Sequence, residues 1–441
     1  MRLFPEAESR PTPTVPETPP AAPRVLEANR MQVCLRPSDL ESLLPAEHPA
    51  RTLWACVERL DLTPFYAPIA AVEGAAGRPA IDPKILLTLW LYATSEGVGS
   101  ARELARLCEA HDAYRWICGG VSVNYHTLSD FRVAHQAALD ALLTETLAVL
   151  LKEGLITLTR VAQDGTRVRA SAGAASFRRE PSLRRCLAEA EAQVRRCAAE
   201  PDSAGATRSA RQTAAQARAA RERQARVEAA LAQLPAVRAV KKTSAERAAA
   251  RVSTTDPAAR VMKMADGGFR PAYNVQVATD TAAQVVVGVA VTNVGSDRGE
   301  STPLLDAVVA RTGTVPPGWL MDGGFVNTDA IVDATVRGVT VYAPVPAPKC
   351  ARDPHAPRRG DPPAVAAWRA RMGTPEAKNV YKERAATAEC VNALWKDQRG
   401  LHRLRVRGLA KVLCIALWMA VTHNLLRWVA LAQAAAQAGG A

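Results

Sequence analysis

Residues 155 to 164 read Leu155-Ile156-Thr157-Leu158-Thr159-Arg160-Val161-Ala162-Gln163-Asp164. β-Branched residues dominate this stretch and apolar positions alternate with polar ones, the period of a strand with one buried face. The strand is expected to deliver Asp164 at its end, with Gly165 following. Helical spacing precedes it and strand spacing returns after it, so a helical region gives way here to a mixed sheet.

Upstream, residues 29–153 are predicted as an all-α domain. Ile81-Asp82-Pro83-Lys84 places a proline near a helix start, and the apolar run continues through Trp90 and Tyr92 to Gly97. Ser100 can cap a second, short helix. A third and longer one is expected from Thr127-Leu128-Ser129-Asp130, close to a capping box, to Gly154. Short helix, turn and longer helix on a basic background fit a helix-turn-helix reader, and an ordinary helical bundle has the same look. Before this region, residues 1–28 are rich in proline and poor in large apolar groups, the composition of a disordered tail.

Downstream, residues 179–251 shift to Ala, Arg, Glu and Gln, with basic side chains in excess. Helix propensity is high but the apolar stripe is thin, which predicts a protruding, coiled-coil-like helical insertion. It has the charge to lie on DNA, the shape to dimerise, and equally the look of a solvated helix face. Strands are expected again over Tyr273–Asp280 and Gln284–Val291, joined as a hairpin. Another, Gly318–Met321, stops at Asp322, and Val339–Tyr342 follows a helical segment around Asp329 to Arg337. Residues 344–363 read as an irregular loop. Helix resumes around Glu376 and runs through Glu389 and Lys396, and a last apolar helix is expected from Val406 to Trp428, leaving 429–441 as a flexible tail. The class is α/β, with the sheet and its flanking helices drawn from 154–178 and 252–428.

The chain has 441 residues and a formal charge of +13. That excess favours a polyanionic partner such as nucleic acid, although an Arg-rich composition gives the same balance by itself. Nine cysteines occur without a Cys-x-x-Cys pair or a neighbouring His-x3-5-His. This argues against a zinc site and a disulfide framework, and for a reducing cytoplasm. No secretion signal is visible at the start. The most apolar stretch, Val412–Leu426, is short for a membrane span and carries His423 and Asn424, so a buried core helix is expected and no membrane. No Walker-type phosphate loop occurs.

Candidate chemistry lies with the acids. Asp164 and Asp322 each stand where a predicted strand stops and glycine follows, Gly165 in one case and Gly323-Gly324 in the other. Such turns let a phosphate approach the backbone closely, and they are also where aspartate acts as a simple turn former. Magnesium takes hard oxygen ligands from a few carboxylates. Attack on a phosphodiester needs charge stabilised on both the entering and the leaving oxygen. Asp266 and Asp280 are expected as turn and strand-end residues, and His126 and His423 as structural histidines.

Three blocks together resemble bacterial insertion-sequence DDE transposases: Ala265-Asp266-Gly267-Gly268-Phe269-Arg270-Pro271-Ala272-Tyr273-Asn274-Val275-Gln276, Met321-Asp322-Gly323-Gly324-Phe325, and Tyr381-Lys382-Glu383-Arg384 leading to Glu389 and Lys396. The likeness is to the branch with a Tyr-Arg-Glu-Lys signature around the third acid. It spans about 30–427, since the segment at Gly77-Arg78-Pro79 also looks like that family's N-terminal domain. The resemblance implies a ribonuclease H-like core in which Asp164, Asp322 and Glu389 are catalytic and hold Mg2+, with Mn2+ substituting. It further implies that Tyr381, Arg384 and Lys396 contact DNA phosphates, that Arg270 and Tyr273 lie on a DNA-facing loop, and that a homodimer or higher assembly forms on DNA. The partners implied are terminal inverted repeats and target DNA, in the bacterial cytoplasm and at the nucleoid. Glu383 and Glu376 are near enough to compete for the role of third acid. Four residues separate Arg384 from Glu389, one more than the commonest form of the signature. Rival readings are a metal-dependent nuclease that never rejoins strands and an inactive copy that only binds ends.

Overall fold

The computed structural model describes residues 31, 39–72, 74, 78–199, 210–347 and 353–439. The proline-rich segment 1–28, Gly77 and part of the 344–363 loop lie outside the described residues.

Among the described residues seven α-helices precede the sheet: α1 (Pro49–Glu58), α2 (Thr63–Tyr66), α3 (Pro83–Ser95), α4 (Ala101–Ala110), α5 (Asp112–Cys118), α6 (Tyr125–Ala134) and α7 (Gln136–Lys152). Asp82 caps α3 by accepting from the Lys84 N–H, with Pro83 at the first helical position, and α3 is buried from Ile85 to Thr94. Ser100 caps α4 as its sequence suggests. The long third helix divides: Asn124, rather than Thr127, caps α6, and the helix breaks at His135 before α7 begins. His135 packs its ring against Phe65 and Phe131 at the break.

The sheet is built on β1 (Arg160–Arg169), which begins later than the alternating stretch predicts. Leu158 sits at φ 54°, so the chain turns before the strand starts. Asp164 is therefore in the middle of β1 and not at its end. Two short strands, β2 (Phe177–Arg178) and β3 (Val252–Ser253), pair across the base of an insertion. The main sheet continues with β4 (Arg260–Lys263), β5 (Phe269–Asp280), β6 (Val286–Thr292), β7 (Gly318–Leu320) and β8 (Thr340–Tyr342). Its order is β4-β5-β1-β7-β8, with β6 also paired to β5. β5 runs antiparallel to β1 and β6 antiparallel to β5, while β7 and β8 run parallel to β1. This is the mixed α/β sheet expected from the resemblance, with helices α11 (Ser301–Thr312), α12 (Thr328–Val336), α13 (Pro363–Gly373) and α14 (Pro375–Arg384) around it.

The insertion is the antiparallel pair α8 (Glu180–Ala199) and α9 (Ala210–Ala239), followed by the short α10 (Ser244–Ala248). Arg238 bonds Glu180 at 2.6 Å and Arg223 reaches Glu189 at 3.5 Å, which fixes the antiparallel sense. Its own small core is Leu183, Ala230, Leu234, Val237, Ala250 and Val252.

After α14 the helical path runs through a π-helical turn (Ala385–Glu389), α15 (Cys390–Ala393) and a second π turn (Leu394–Gln398). The last helix, α16, spans Leu409–Gly439, so residues 429–439 continue it in place of the expected tail. It packs on α7, α3 and β6. Asn424 both accepts from the Val286 N–H (2.9 Å) and donates to the Val286 carbonyl (2.7 Å), saturating an edge of β6 that would otherwise be buried unpaired. His423 bonds the Gln284 carbonyl at 2.8 Å. These polar groups in an apolar helix are interior fastenings of a core helix.

Candidate active site

Parallel pairing sets the first two acids side by side. Val161 stands opposite Trp319 and Ala162 opposite Leu320. Two residues further along each strand direction come Asp164, still inside β1, and Asp322, just past the end of β7. Asp322 closes its turn by accepting from the Gly324 N–H at 2.7 Å.

The third acid arrives from the helix that crosses this end of the sheet, and an arginine joins it to the first. Arg384 donates through Nη2 to Asp164 Oδ1 (2.8 Å) and through Nη1 to Glu389 Oε1 (3.0 Å). Its side chain is only 8% exposed, against 17% for Asp164 and 58% for Glu389, so the buried charges face each other and Glu389 reaches outward. The extra residue between Arg384 and Glu389 is absorbed by the π turn Ala385–Glu389. A π turn takes up one more residue than an α turn, and here it keeps Arg384 and Glu389 on one face; such turns are frequent at functional sites. The competing acids are placed elsewhere: Glu383 pairs with Arg160 at 2.8 Å, and Glu376 is exposed in the first turn of α14.

Burial holds the Asp164 carboxyl above its ordinary value, against the opposing pull of Arg384, Asn392 and the Gly165 N–H, and Asp322 adds to the rise. Tyr381 is raised by burial as well, standing among Arg384, Asp322 and Glu389. Lys396 is lowered by burial, with Asp164 pulling it back up. All these groups share one electrostatic neighbourhood.

Two residues of the site carry no expectation from the sequence. Asn392 is buried and donates to Asp164 Oδ2 at 2.7 Å. Its place three residues after Glu389 on the same helix is the available signal. Asp297 accepts from Arg167 (2.9 Å), Asn274 (2.7 Å) and Gln276 (3.0 Å). A Cβ on Gly165 would fall 2.6 Å from Asp297 Oδ1, so this fourth carboxylate lies against β1 at Gly165. Asp297 follows β6 in a loop with no strand-end pattern of its own, and nothing in the sequence marks it.

Of the residues expected to face DNA, Arg270 is on the surface, held by Asp266 at 2.7 Å, and lines a cavity of about 370 Å3 with Arg167, Arg169, Lys396 and His402. Tyr273 is a correction. It is fully buried on β5, and its hydroxyl donates to Asp256 at 2.7 Å and accepts from the Gly408 N–H, so no DNA can reach it. Arg384 is likewise turned inward on two carboxylates and is not displayed to solvent. Asp266 closes the Gly267-Gly268 turn, and Asp280 caps the β5–β6 turn through the Ala283 N–H. His126 is exposed beside Tyr125.

As the side chains stand, no three carboxylate, histidine or cysteine groups among the described residues converge closely enough to ligate an ion. The Arg384 guanidinium lies between Asp164 and Glu389 and supplies the positive charge there. Asp164 and Glu389 offer hard oxygens to that cation, the donor type a divalent metal takes.

Residues 38–134 match a family model described as Transposase domain (DUF772), and residues 349–429 match one described as Transposase DDE domain. The first covers α1 to α6, and the second contains Tyr381, Arg384, Glu389, Asn392 and Lys396. No curated protein and no solved structure matches the chain.

Proposed function

We infer that this chain, an insertion-sequence DDE transposase by the two domains it matches, cuts DNA at the ends of a mobile element and joins the freed ends to target DNA. The observation that carries the reading is the Asp164–Arg384–Glu389 bridge, with Asp322, just past the end of the neighbouring strand β7, near enough for its charge to act on Asp164.

Asp164, Asp322 and Glu389 are the residues that would hold Mg2+, with Mn2+ as substitute. Bound there, the metal would stabilise charge on the entering and leaving oxygens of a phosphodiester. The chain's own groups do the positioning. Asn392 and the Gly165 N–H fix the Asp164 carboxylate, so its orientation does not depend on solvent. Arg384 balances Asp164 and Glu389 until substrate phosphate arrives. Lys396, Arg270 and Arg167 border the adjacent cavity and are the groups that would meet the DNA backbone. In the first step water attacks the phosphorus, the P–O3′ bond breaks, and a 3′ hydroxyl and a 5′ phosphate remain. In the second that hydroxyl attacks a target phosphodiester and expels the target's own 3′ oxygen, so no protein-linked intermediate is needed. Both element ends must be held for this, which calls for a dimer or higher assembly on DNA, at the nucleoid of a bacterial cytoplasm.

The test is to incubate full-length protein with labelled DNA carrying the element's ends, with and without Mg2+, beside Asp164→Asn and Asp322→Asn. Metal-dependent cutting and joining, lost in both variants while binding persists, is the expected outcome. Cutting without joining would make the chain a nuclease. Binding without any cutting by the wild type would leave an end-binding relic and end the enzymatic reading.

A further inference from the structure

Directly beyond the second π turn, the helical region and the sheet region enclose a polar cleft of about 520 Å3. Its lining includes Arg132 from α6 and Arg399, His402, Arg403 and Arg405 from the segment before α16, and no acidic residue is among its lining residues. None of the four arginines takes part in an ion pair among the described residues. Arg132 and Arg399 are 8% and 7% exposed; Arg132 gives Nη1 to the Gly99 carbonyl (2.6 Å) and lies over the Trp90 ring, while its Nε and Arg399 Nη1 have no hydrogen-bond partner. Among the other described residues, buried guanidinium groups are met by acids: Arg384 has two, Arg311 has Asp140 and Arg369 has Asp361.

The junction is also built tightly. Gly97 and Gly400 both have positive φ (73° and 71°), and a Cβ on Gly97 would meet the Gln398 carbonyl oxygen at 2.6 Å. Backbone from the α3–α4 turn and backbone after Lys396 are thus pressed together at the cleft's wall, where only glycine fits. Burial pushes both Arg132 and Arg399 down to about 10, so each remains a cation at neutral pH. A buried, uncompensated charge is unfavourable unless something anionic meets it.

We propose that this cleft seats a backbone phosphate of DNA, the same strand whose reacting phosphate lies at Asp164. The assignment rests on the transposase reading and adds a second point of attachment to it. His402 lines both this cleft and the cavity bordered by Arg270, Arg167 and Lys396, so one basic path runs from the acidic site to the cleft. A polyanion that follows that path meets successive cations. The cleft would then couple the N-terminal helical region, through Arg132, to the position of the strand at the acids.

The experiment measures binding of a labelled DNA duplex to the full chain across a range of salt, for wild type, Arg399→Gln and the exposed double variant Arg403→Gln/Arg405→Gln. Arg399→Gln and the double variant should each bind roughly tenfold more weakly, and the slope of log affinity against log salt should fall by about 1 for each phosphate that is no longer neutralised. Unchanged affinity and slope in the double variant would overturn the proposal, and this arm decides alone if Arg399→Gln fails to fold. A thermal shift with inorganic phosphate separates the sources: stabilisation of wild type by phosphate, absent in the variants, with DNA binding untouched in all of them, marks a free-anion site and also overturns it. Failure of the transposase reading shows differently, as absence of DNA binding by the wild type itself.

Discussion

Arg384 and Arg399 lie on one continuous stretch of chain, both are buried, and they are in opposite electrostatic situations. Arg384 is gripped by Asp164 and Glu389; Arg399 has no carboxylate and an unpartnered Nη1. The first completes a charge balance within the fold. The second leaves one open. Since a buried charge is tolerated only when paired, the comparison separates a cation that belongs to the internal architecture from one that stands ready for something outside the chain.

The sharpest way to break the comparison is to remove each charge and read stability. Arg384→Met strands Asp164 beneath the surface, and urea unfolding should show a loss of about 3 kcal/mol, in the range for breaking a buried pair. An unchanged midpoint would mean that the bridge contributes nothing to folding.

Next in size is an acid step reported by His423, whose ring is pushed down to about 4, by burial first and then by the nearby charge of Arg399. Its folded value lies below its unfolded value, so the unfolded chain takes up a proton first as pH falls. Stability is therefore full above about pH 6.5 and is lost as pH drops from there towards 4, by roughly 3 kcal/mol in total. Unfolding free energies measured from pH 7 to pH 4 check this, and the step should vanish in His423→Gln. In Arg399→Met the step should shrink, because one of the charges opposing His423 protonation is gone; a step of unchanged size would mean the Arg399 charge is not felt there.

The smallest expected effect has the opposite sign from the first. Arg399→Met replaces an unpaired buried cation by an apolar side chain of similar reach and should raise stability at pH 7 by about 1 kcal/mol, seen as a higher melting temperature. Destabilisation would show that Arg399 has an internal partner after all, and would weaken the case for an external anion.

Much of the fold is legible in local pattern. Asp82-Pro83 announces α3, Ser100 announces α4, and alternation announces the β5–β6 hairpin, because caps, fixed proline geometry and strand period are properties of a few adjacent residues. Composition marks the strand carrying Asp164 but starts it too early, since pairing with β5 and the left-handed turn at Leu158 fix where β1 begins. Tyr273 reads two ways, DNA-facing by resemblance and core as a tyrosine that starts a strand, and its place on a central strand with both faces covered makes it core. The bipartite helix α6–α7 reads as one because a single break at His135 leaves the apolar spacing nearly intact.

By itself the sequence determined the α/β class, the order of the elements and the helical insertion. These follow from residue type and short-range spacing, where intrinsic propensity and hydrophobic period act directly. Only the tertiary structure decided which charges are partnered: that a π turn brings Arg384 round to Glu389, that Asn392 and Asp297 join the site unannounced, and that Arg399 is enclosed without an acid. Pairing across more than two hundred residues depends on strand register and on how helices cross the sheet. Those are cooperative outcomes of packing the whole chain, and no window of sequence contains them.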